Sequence, residues 1–470
     1  MDLNLTKFSS RAKLFCIVTL CFGLGSFLRL YQLDRQSLWG DELFSVYASS
    51  IDSWSEFTNV ISADPHPPLF QILLKFWLKI PLENKELLAK FFPLSFSLIN
   101  LFIVWFLSGH LNSKVRLLFL FLITTSPGAI YYAQEVRSYS LLLTFSTMLL
   151  LLLTKLRNPI IQQKGVLVSF FIITVLISYV HLFGFILAGF LLLSLFISNS
   201  ISTRKISFIF LTFGILLLLF YLPFLIHLKQ AGKIETAGWI PPPDYVLYFG
   251  YFNLFSSVSM KHIIWTLVFP LVIFTFLCIR KIYMYIQKKL RFEFDSAGFY
   301  LLISFLILLI TSIFSYFIPI STSRNWIITL PLVYYFVSKE LSSFKYSNYL
   351  IILILICLFF SFLNLKKNFY ISFKEDWRGA TQVIIKNCQT SAVFSDAFPE
   401  FFNLYLSWNH EKNVHVDWNH QLENVTQSSF CLISRKLGGN NLNVKVKDDY
   451  QFDRSDEVLG FEIKKYKKKL

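Results

Sequence analysis

Residues 206 to 226 read ISFIFLTFGILLLLFYLPFLI, without one charged side chain among them. A bilayer core about 30 Å thick is crossed by a helix of about 20 apolar residues, so this stretch reads as a membrane span. Outward from it, similar stretches recur at approximately 14 to 30, 87 to 108, 117 to 133, 139 to 154, 166 to 180, 183 to 199, 263 to 279, 298 to 318, 326 to 338 and 349 to 364, which makes eleven. Bulk composition agrees: of 470 residues 55% are hydrophobic and only 15% charged, with a mean hydropathy of +0.55. The expected fold class is an all-α polytopic membrane protein of about eleven transmembrane helices. Six cysteines are too sparse for a secreted disulfide scaffold, and this hydrophobicity excludes disorder. No Walker loop, paired CxxC, HExxH or internal repeat is present, so nucleotide hydrolysis and motif-type zinc proteolysis have no support.

Orientation follows from Lys and Arg, which stay on the cytoplasmic side of short loops. With the N-terminus inside, the cytoplasmic segments hold seventeen cations, from Lys7 to Lys345, against four acids, Asp2, Glu293, Asp295 and Glu340. That asymmetry accounts for much of the net charge of +16, so no nucleic acid is inferred as a partner. Two loops, 31 to 86 and 227 to 262, then lie outside, and an odd number of spans places the polar tail there too. Residues 1 to 364 are expected to form the transmembrane domain of a multi-pass protein of the inner (plasma) membrane, and 365 to 470 an extracytoplasmic domain. Residues 14 to 30 lack a small-residue cleavage site, so the first span is expected to stay as an anchor.

Within the first loop, residues 69 to 80, LFQILLKFWLKI, are apolar except for Gln71, Lys75 and Lys79, one helical stripe. Twelve residues cannot span, and an interfacial helix with its lysines toward head groups is predicted. Asp64-Pro65-His66-Pro67-Pro68 before it forbids helix and holds His66 on a stiff strap. The tail has ordinary globular composition, with β-like runs at 392 to 395, 429 to 434 and 457 to 463 and helix-like patterns at 376 to 387 and 398 to 407. This predicts a small α/β domain, whose Cys388 and Cys431 either pair in an oxidising compartment or stay as buried thiols.

Ionisable residues near the spans gather at one membrane face. Asp41 and Glu42 follow the first span, in a short helix that Ser37 is expected to cap. Consecutive helical residues point about 100° apart, so one carboxylate can face a cavity while the other takes a structural partner. Glu135 and Arg137 mark the next outer turn, His181 another, Trp239 the second large loop, and Arg324 the outer end of the tenth span. For any one residue, an interfacial anchor is a sufficient account. For the set it is weaker, because charges beside hydrocarbon are costly unless paired or functional. A carboxylate can deprotonate an acceptor hydroxyl, and guanidinium groups can bind a phosphate leaving group.

The ordered strings Leu38-Trp39-Gly40-Asp41-Glu42, His66-Pro67-Pro68-Leu69, Glu135-Val136-Arg137-Ser138-Tyr139, the span-end His181 and Asp376-Trp377-Arg378-Gly379-Ala380 resemble the GT-C membrane glycosyltransferases. The likeness is to bacterial relatives of the dolichyl-phosphate-mannose protein mannosyltransferases, a group that includes the aminoarabinose transferase of lipid A. It implies an inverting glycosyltransferase that moves a sugar from a polyprenyl-phosphate donor to a protein or glycolipid acceptor at the outer face of the membrane. It also implies Asp41 as catalytic base with Glu42 beside it, and Glu135, Arg137, Tyr139 and Arg324 as donor- and phosphate-binding residues. His66, His181 and Trp239 would position the acceptor or its loop. No cofactor is required; a divalent metal is optional, with His66 and Asp64 or Glu42 as its candidate ligands. Leu182 after His181 and Asn325 after Arg324 depart from the aromatics common there, leaving sugar and acceptor open. The competing readings are a lipid-linked-sugar transporter or flippase, disfavoured by uncharged midspan segments, and an oligosaccharide ligase using a pyrophosphate donor.

Overall fold

The computed structural model describes residues 10 to 156, 163 to 230, 240 to 287, 296 to 370, 374 to 436, 446 and 448 to 469. Each of the eleven apolar stretches is helical. α1 (Ser10–Leu30) leads to three short helices of the first loop, α2 (Gly40–Ser50), α3 (Trp54–Ser62) and α4 (Leu69–Trp77). Then follow α5 (Lys85–Leu107), α6 (Ser113–Thr125), α7 (Pro127–Ala133), α8 (Tyr139–Lys155), α9 (Lys164–Val180), α10 (Leu182–Thr203) and α11 (Phe208–Gln230). α12 (Tyr245–Phe252) lies in the second loop, before α13 (Phe269–Ile286), α14 (Ala297–Ser315), α15 (Leu330–Ser343) and α16 (Ser347–Tyr370). Among the described residues seven helices are long and apolar enough to cross a membrane alone, and α6 with α7, bent by 52°, makes an eighth span. Pro127 explains the bend: it cannot donate to the preceding turn, and Ser126 caps the new helix by accepting from Ala129 N. α8, α9 and α15 are shorter.

The C-terminal domain is the expected α/β unit. α17 (Trp377–Asn387) and α18 (Pro399–Trp408) pack on a sheet of β1 (Ala392–Ser395), β2 (Val416–Trp418), β3 (Ser429–Arg435), β4 (Tyr450–Val458) and β5 (Phe461–Lys468), ordered β2-β1-β3-β5-β4. β1 runs parallel to β2 and β3, and the β4–β5 hairpin closes the other edge antiparallel. The predicted run 457 to 463 is therefore two strand ends and a turn: Gly460, at φ 90°, reverses the chain where a side chain would be strained. Cys388 and Cys431 form a disulfide. Trp377 is fully buried against Phe401, Phe402 and Phe461.

Two first-loop expectations are corrected. Ser37 does not cap α2, whose N-cap is Trp39; its hydroxyl instead accepts from Arg378 N and meets Tyr405 Oη at 3.2 Å. Lys75 does not face head groups. It is buried, donates to the carbonyls of Ile51 and Asp52, and lies over the rings of Trp54 and Phe57, because α3 folds back across that face of α4.

The domain is clamped to this loop. Arg378 Nε and Nη2 grip Glu86 Oε2 and Oε1 at 2.9 and 2.8 Å, and Nη2 also reaches Asp34. Lys90 meets the same carboxylate at 2.9 Å. The Asp-Trp-Arg-Gly string is thereby explained: Asp376 caps α17 by accepting from Gly379 N at 2.9 Å, and a Cβ on Gly379 would strike that carboxylate.

Candidate active site

α2 is the foundation of the site. Glu42 folds back to accept from Trp39 N at 3.1 Å, satisfying one free donor of the first turn, while both carboxylates favour the positive end of the helix dipole. The two acids then part. Glu42 is wholly buried; its Oε1 accepts from Val136 N at 2.7 Å and its Oε2 from Lys374 Nζ at 2.9 Å. Asp41 keeps 39% of its side chain exposed, and its Oδ2 lies 3.5 Å from Arg324 Nη2. The Arg324 guanidinium sits over the rings of Trp39 and Tyr139, at 5.9 and 5.7 Å from their centroids. Burial works against its charge, but Tyr139, Glu135 and Asp41 more than restore it, so the guanidinium stays protonated.

Beneath this pair the turn 134 to 138 delivers Glu135 and Arg137. Glu135 Oε1 accepts from Trp39 Nε1 at 3.2 Å, while its buried Oε2 has no partner in the structure. Burial pushes this carboxyl above the ordinary range, with Lys374 opposing and Glu42 adding to the rise. Arg137 Nη1 donates to Asp41 O and Ser45 Oγ, both at 3.2 Å, leaving its buried Nε unpaired. The backbone of Asp41 is therefore anchored by one arginine and its carboxylate addressed by another.

The histidines close the lower side. Asp64 Oδ1 meets His66 Nδ1 at 2.6 Å and its Oδ2 accepts from Gln71 Nε2 at 3.0 Å. Burial opposes ionisation of Asp64, but His66 and Arg137 prevail and hold its carboxyl below the ordinary range. The His66 ring centre is 5.1 Å from that of His181, which is 6.2 Å from that of Tyr139. His181 caps α10 through Nδ1, accepting from Phe183 N at 3.2 Å, which places the ring proton on the buried, unpaired Nε2. Burial, with His66 and Arg137 nearby, holds its pKa well below the usual histidine value. Gly184 permits this turn, since a Cβ there would collide with Ile177 O.

Asp41, Glu42, His66, Glu135, Arg137, Tyr139, His181 and Arg324 are thus brought into one contiguous cluster. Trp239 lies outside the described residues. Trp39, which joins Glu135 to Arg324, and Lys374, which neutralises Glu42, escaped assignment from sequence; Trp39 stood beside the acidic pair, whereas nothing local marks Lys374. Among the described residues no group of three or more His, Cys, Asp or Glu side chains is arranged to hold a metal ion. A narrow cleft is lined by His66 and Arg137 themselves, and two roomier cavities lie nearby, the first reaching the cluster only through Tyr132, whose ring is 4.8 Å from that of Tyr139. One of about 380 Å³ is lined by Tyr131, Tyr132, Asn253 and Asn364. The other, about 330 Å³ and mainly apolar, runs between α12, α13, α15 and α16, with Tyr248 of its wall stacked on the Trp326 ring.

Two solved structures superpose on almost the whole chain. ArnT from Cupriavidus metallidurans in the apo state aligns with a TM-score of 0.60 at 9% identity, over 97% of this chain and 98% of that one. This chain has the ArnT fold. The same ArnT bound to undecaprenyl phosphate aligns with a TM-score of 0.58 at 9% identity and equal coverage. The likeness to ArnT extends through the C-terminal domain and agrees with the GT-C resemblance carried by the motifs. No protein-family model and no curated sequence matches the chain.

Proposed function

We propose that the protein is an inverting glycosyltransferase that moves a sugar from a polyprenyl-phosphate donor to an acceptor hydroxyl or amine. The observation that carries this reading is the pairing of a half-exposed carboxylate, Asp41, with Arg324 at 3.5 Å, within a fold shared with a protein that binds undecaprenyl phosphate. In the resting site Arg324 addresses Asp41. When the donor phosphate arrives it takes Arg324 as its partner and releases Asp41 to act as base. Asp41 accepts the acceptor's proton as the nucleophile's lone pair forms a bond to the anomeric carbon. The bond from that carbon to the phosphate oxygen breaks on the opposite face, and its electron pair leaves with the lipid phosphate toward Arg324.

Glu42, with both oxygens engaged, and Arg137, through Asp41 O, position the base. Glu135, with one free oxygen, and Tyr139 face the donor, while His66 and His181 shape the acceptor side. The apolar cavity beyond Trp326 supplies a low-polarity bed for the polyprenyl chain. Arg324 meets the leaving-group charge, so no metal is required. Were a divalent ion held, His66 Nε2 would be its first ligand, since Nδ1 is committed to Asp64, and the ion would supply Lewis-acid chemistry. The Cys388–Cys431 disulfide supports an oxidising, extracytoplasmic setting for the C-terminal domain, and the Lys and Arg bias of the short loops supports a cytoplasmic N-terminus in the plasma membrane.

Reconstitution with a panel of polyprenyl-phosphate sugars and measurement of released polyprenyl phosphate tests this reading. Release from one donor, lost in Asp41→Asn, is expected. Absence of release from every monophosphate donor, with envelope extract supplying acceptors, would overturn it.

A further inference from the structure

The C-terminal end of α2, the helix α4 and α18 of the C-terminal domain enclose a groove of about 560 Å³, apart from the cluster described above. Its charged lining consists of Lys75, Lys79, Lys85 and Asp52, an excess of cations, and one side carries the indole of Trp408. Lys75 is buried and donates to backbone carbonyls, so its charge is not neutralised by a carboxylate there. Lys79 is exposed beside the Phe76 ring, and Lys85 is the first residue of α5. Trp408 is held edge-on to the Tyr405 ring at 5.0 Å. A buried cation, two further lysines, of which Lys85 donates to Ile80 O at 3.2 Å, and a braced indole form a mixed surface: the lysines attract anions, and the flat apolar face accepts the C–H face of a sugar ring.

The groove is also coupled to the site. α2 carries Asp41 at its N-terminal end and Ser50 at the groove, nine residues apart, or about 14 Å at 1.5 Å per residue. The groove and Asp41 are thus held at a fixed spacing by one helix. Two parts of the molecule are needed to build it: the first loop supplies the lysines and the C-terminal domain the tryptophan.

We propose that this groove binds the acceptor as an acidic oligosaccharide, its carboxylate or phosphate groups on Lys79 and Lys85 and a sugar ring on Trp408. Calling the ligand an acceptor rests on the transferase reading; the binding itself does not. The test uses the full chain in neutral detergent and isothermal titration with a linear oligogalacturonate, against a neutral malto-oligosaccharide of equal length. Binding of the acidic chain alone is expected, weakened at least tenfold by Lys79→Glu and by Trp408→Ala. Lys261→Glu, the same charge change at an exposed position outside the groove, should leave it intact. Equal binding of both oligosaccharides, or acid binding untouched by either groove variant, would overturn the proposal. A second arm uses phosphatidylglycerol nanodiscs: loss of lipid association in Lys79→Glu with oligosaccharide binding retained would make the groove a lipid-headgroup contact and also sink it. Groove binding without polyprenyl-phosphate release would remove the transferase reading alone.

Discussion

Lys374 Nζ donates to Glu42 Oε2 at 2.9 Å across 332 positions of chain, tying the approach to the C-terminal domain to the helix that carries Asp41. Burial opposes the ammonium charge, but Glu42 and Glu135 restore it and hold the pKa above the ordinary lysine value. Truncation of Lys374 leaves a buried carboxylate without its counter-charge. Lys374→Ala is therefore expected to lower stability by about 3 kcal/mol, measured by thermal unfolding in detergent, and Glu42→Gln in the same chain should recover part of that loss. An unchanged melting temperature in the single variant would show the pair to be idle.

Asp41 is separated from this structural pair by its exposure. Asp41→Asn keeps the shape of the first turn and removes the proton acceptor, so turnover should fall by roughly 10²- to 10⁴-fold with melting temperature unchanged. Steady-state transfer assays with a matched melting curve decide it, and turnover above a tenth of wild type would reassign the base.

Arg324 and Arg137 should separate kinetically. Arg324→Ala removes the positive charge that meets the leaving phosphate and is expected to cost about 10²- to 10³-fold in kcat. Arg137→Ala acts through Asp41 O and Ser45, so loss of activity should come with a lower melting temperature. Arg324→Lys, which keeps charge but not the planar fork, should recover only part of the rate.

His181 sets an acid limit on stability. Its folded-state pKa lies below that of the unfolded chain, so above about pH 6.5 neither state is protonated and the contribution is complete. As pH falls below that value the unfolded chain takes up a proton that the folded state resists, and stability declines. Asp64, also depressed, adds the same trend only in the carboxylate range. Melting temperatures between pH 7.5 and 5 should fall in wild type and flatten in His181→Gln; parallel curves would refute the assignment.

The clamp at Glu86 predicts a cooperative seam. Arg378→Ala loses two charge-assisted hydrogen bonds to a buried carboxylate that Lys90 still neutralises, a loss of about 2 kcal/mol. Limited proteolysis should then cut between α16 and α17 faster than in wild type. Arg378→Lys, unable to grip both oxygens, should lie between the two.

The spans were legible because hydrocarbon imposes its own rule: each apolar stretch must satisfy its backbone internally, and all eleven are helical. The acidic pair, the Glu135 turn and His181 were legible because charged groups beside apolar spans stand out in a sequence. Which acid remains open was not: Glu42 is silenced by Val136 and Lys374, and no local pattern announces a partner 332 positions away. The same reason hid β4, whose largely exposed Gln451 to Glu457 carry little apolar alternation and pair only because β5 lies alongside. Lys75 read as a head-group lysine until α3 folded over it. Sequence alone determined the membrane class, the polar face and the residue types gathered there, since these depend on transfer from water to lipid. Tertiary structure alone decided which carboxylate stays exposed, which arginine meets it and how the C-terminal domain is clamped on, since each depends on a contact between distant parts of the chain.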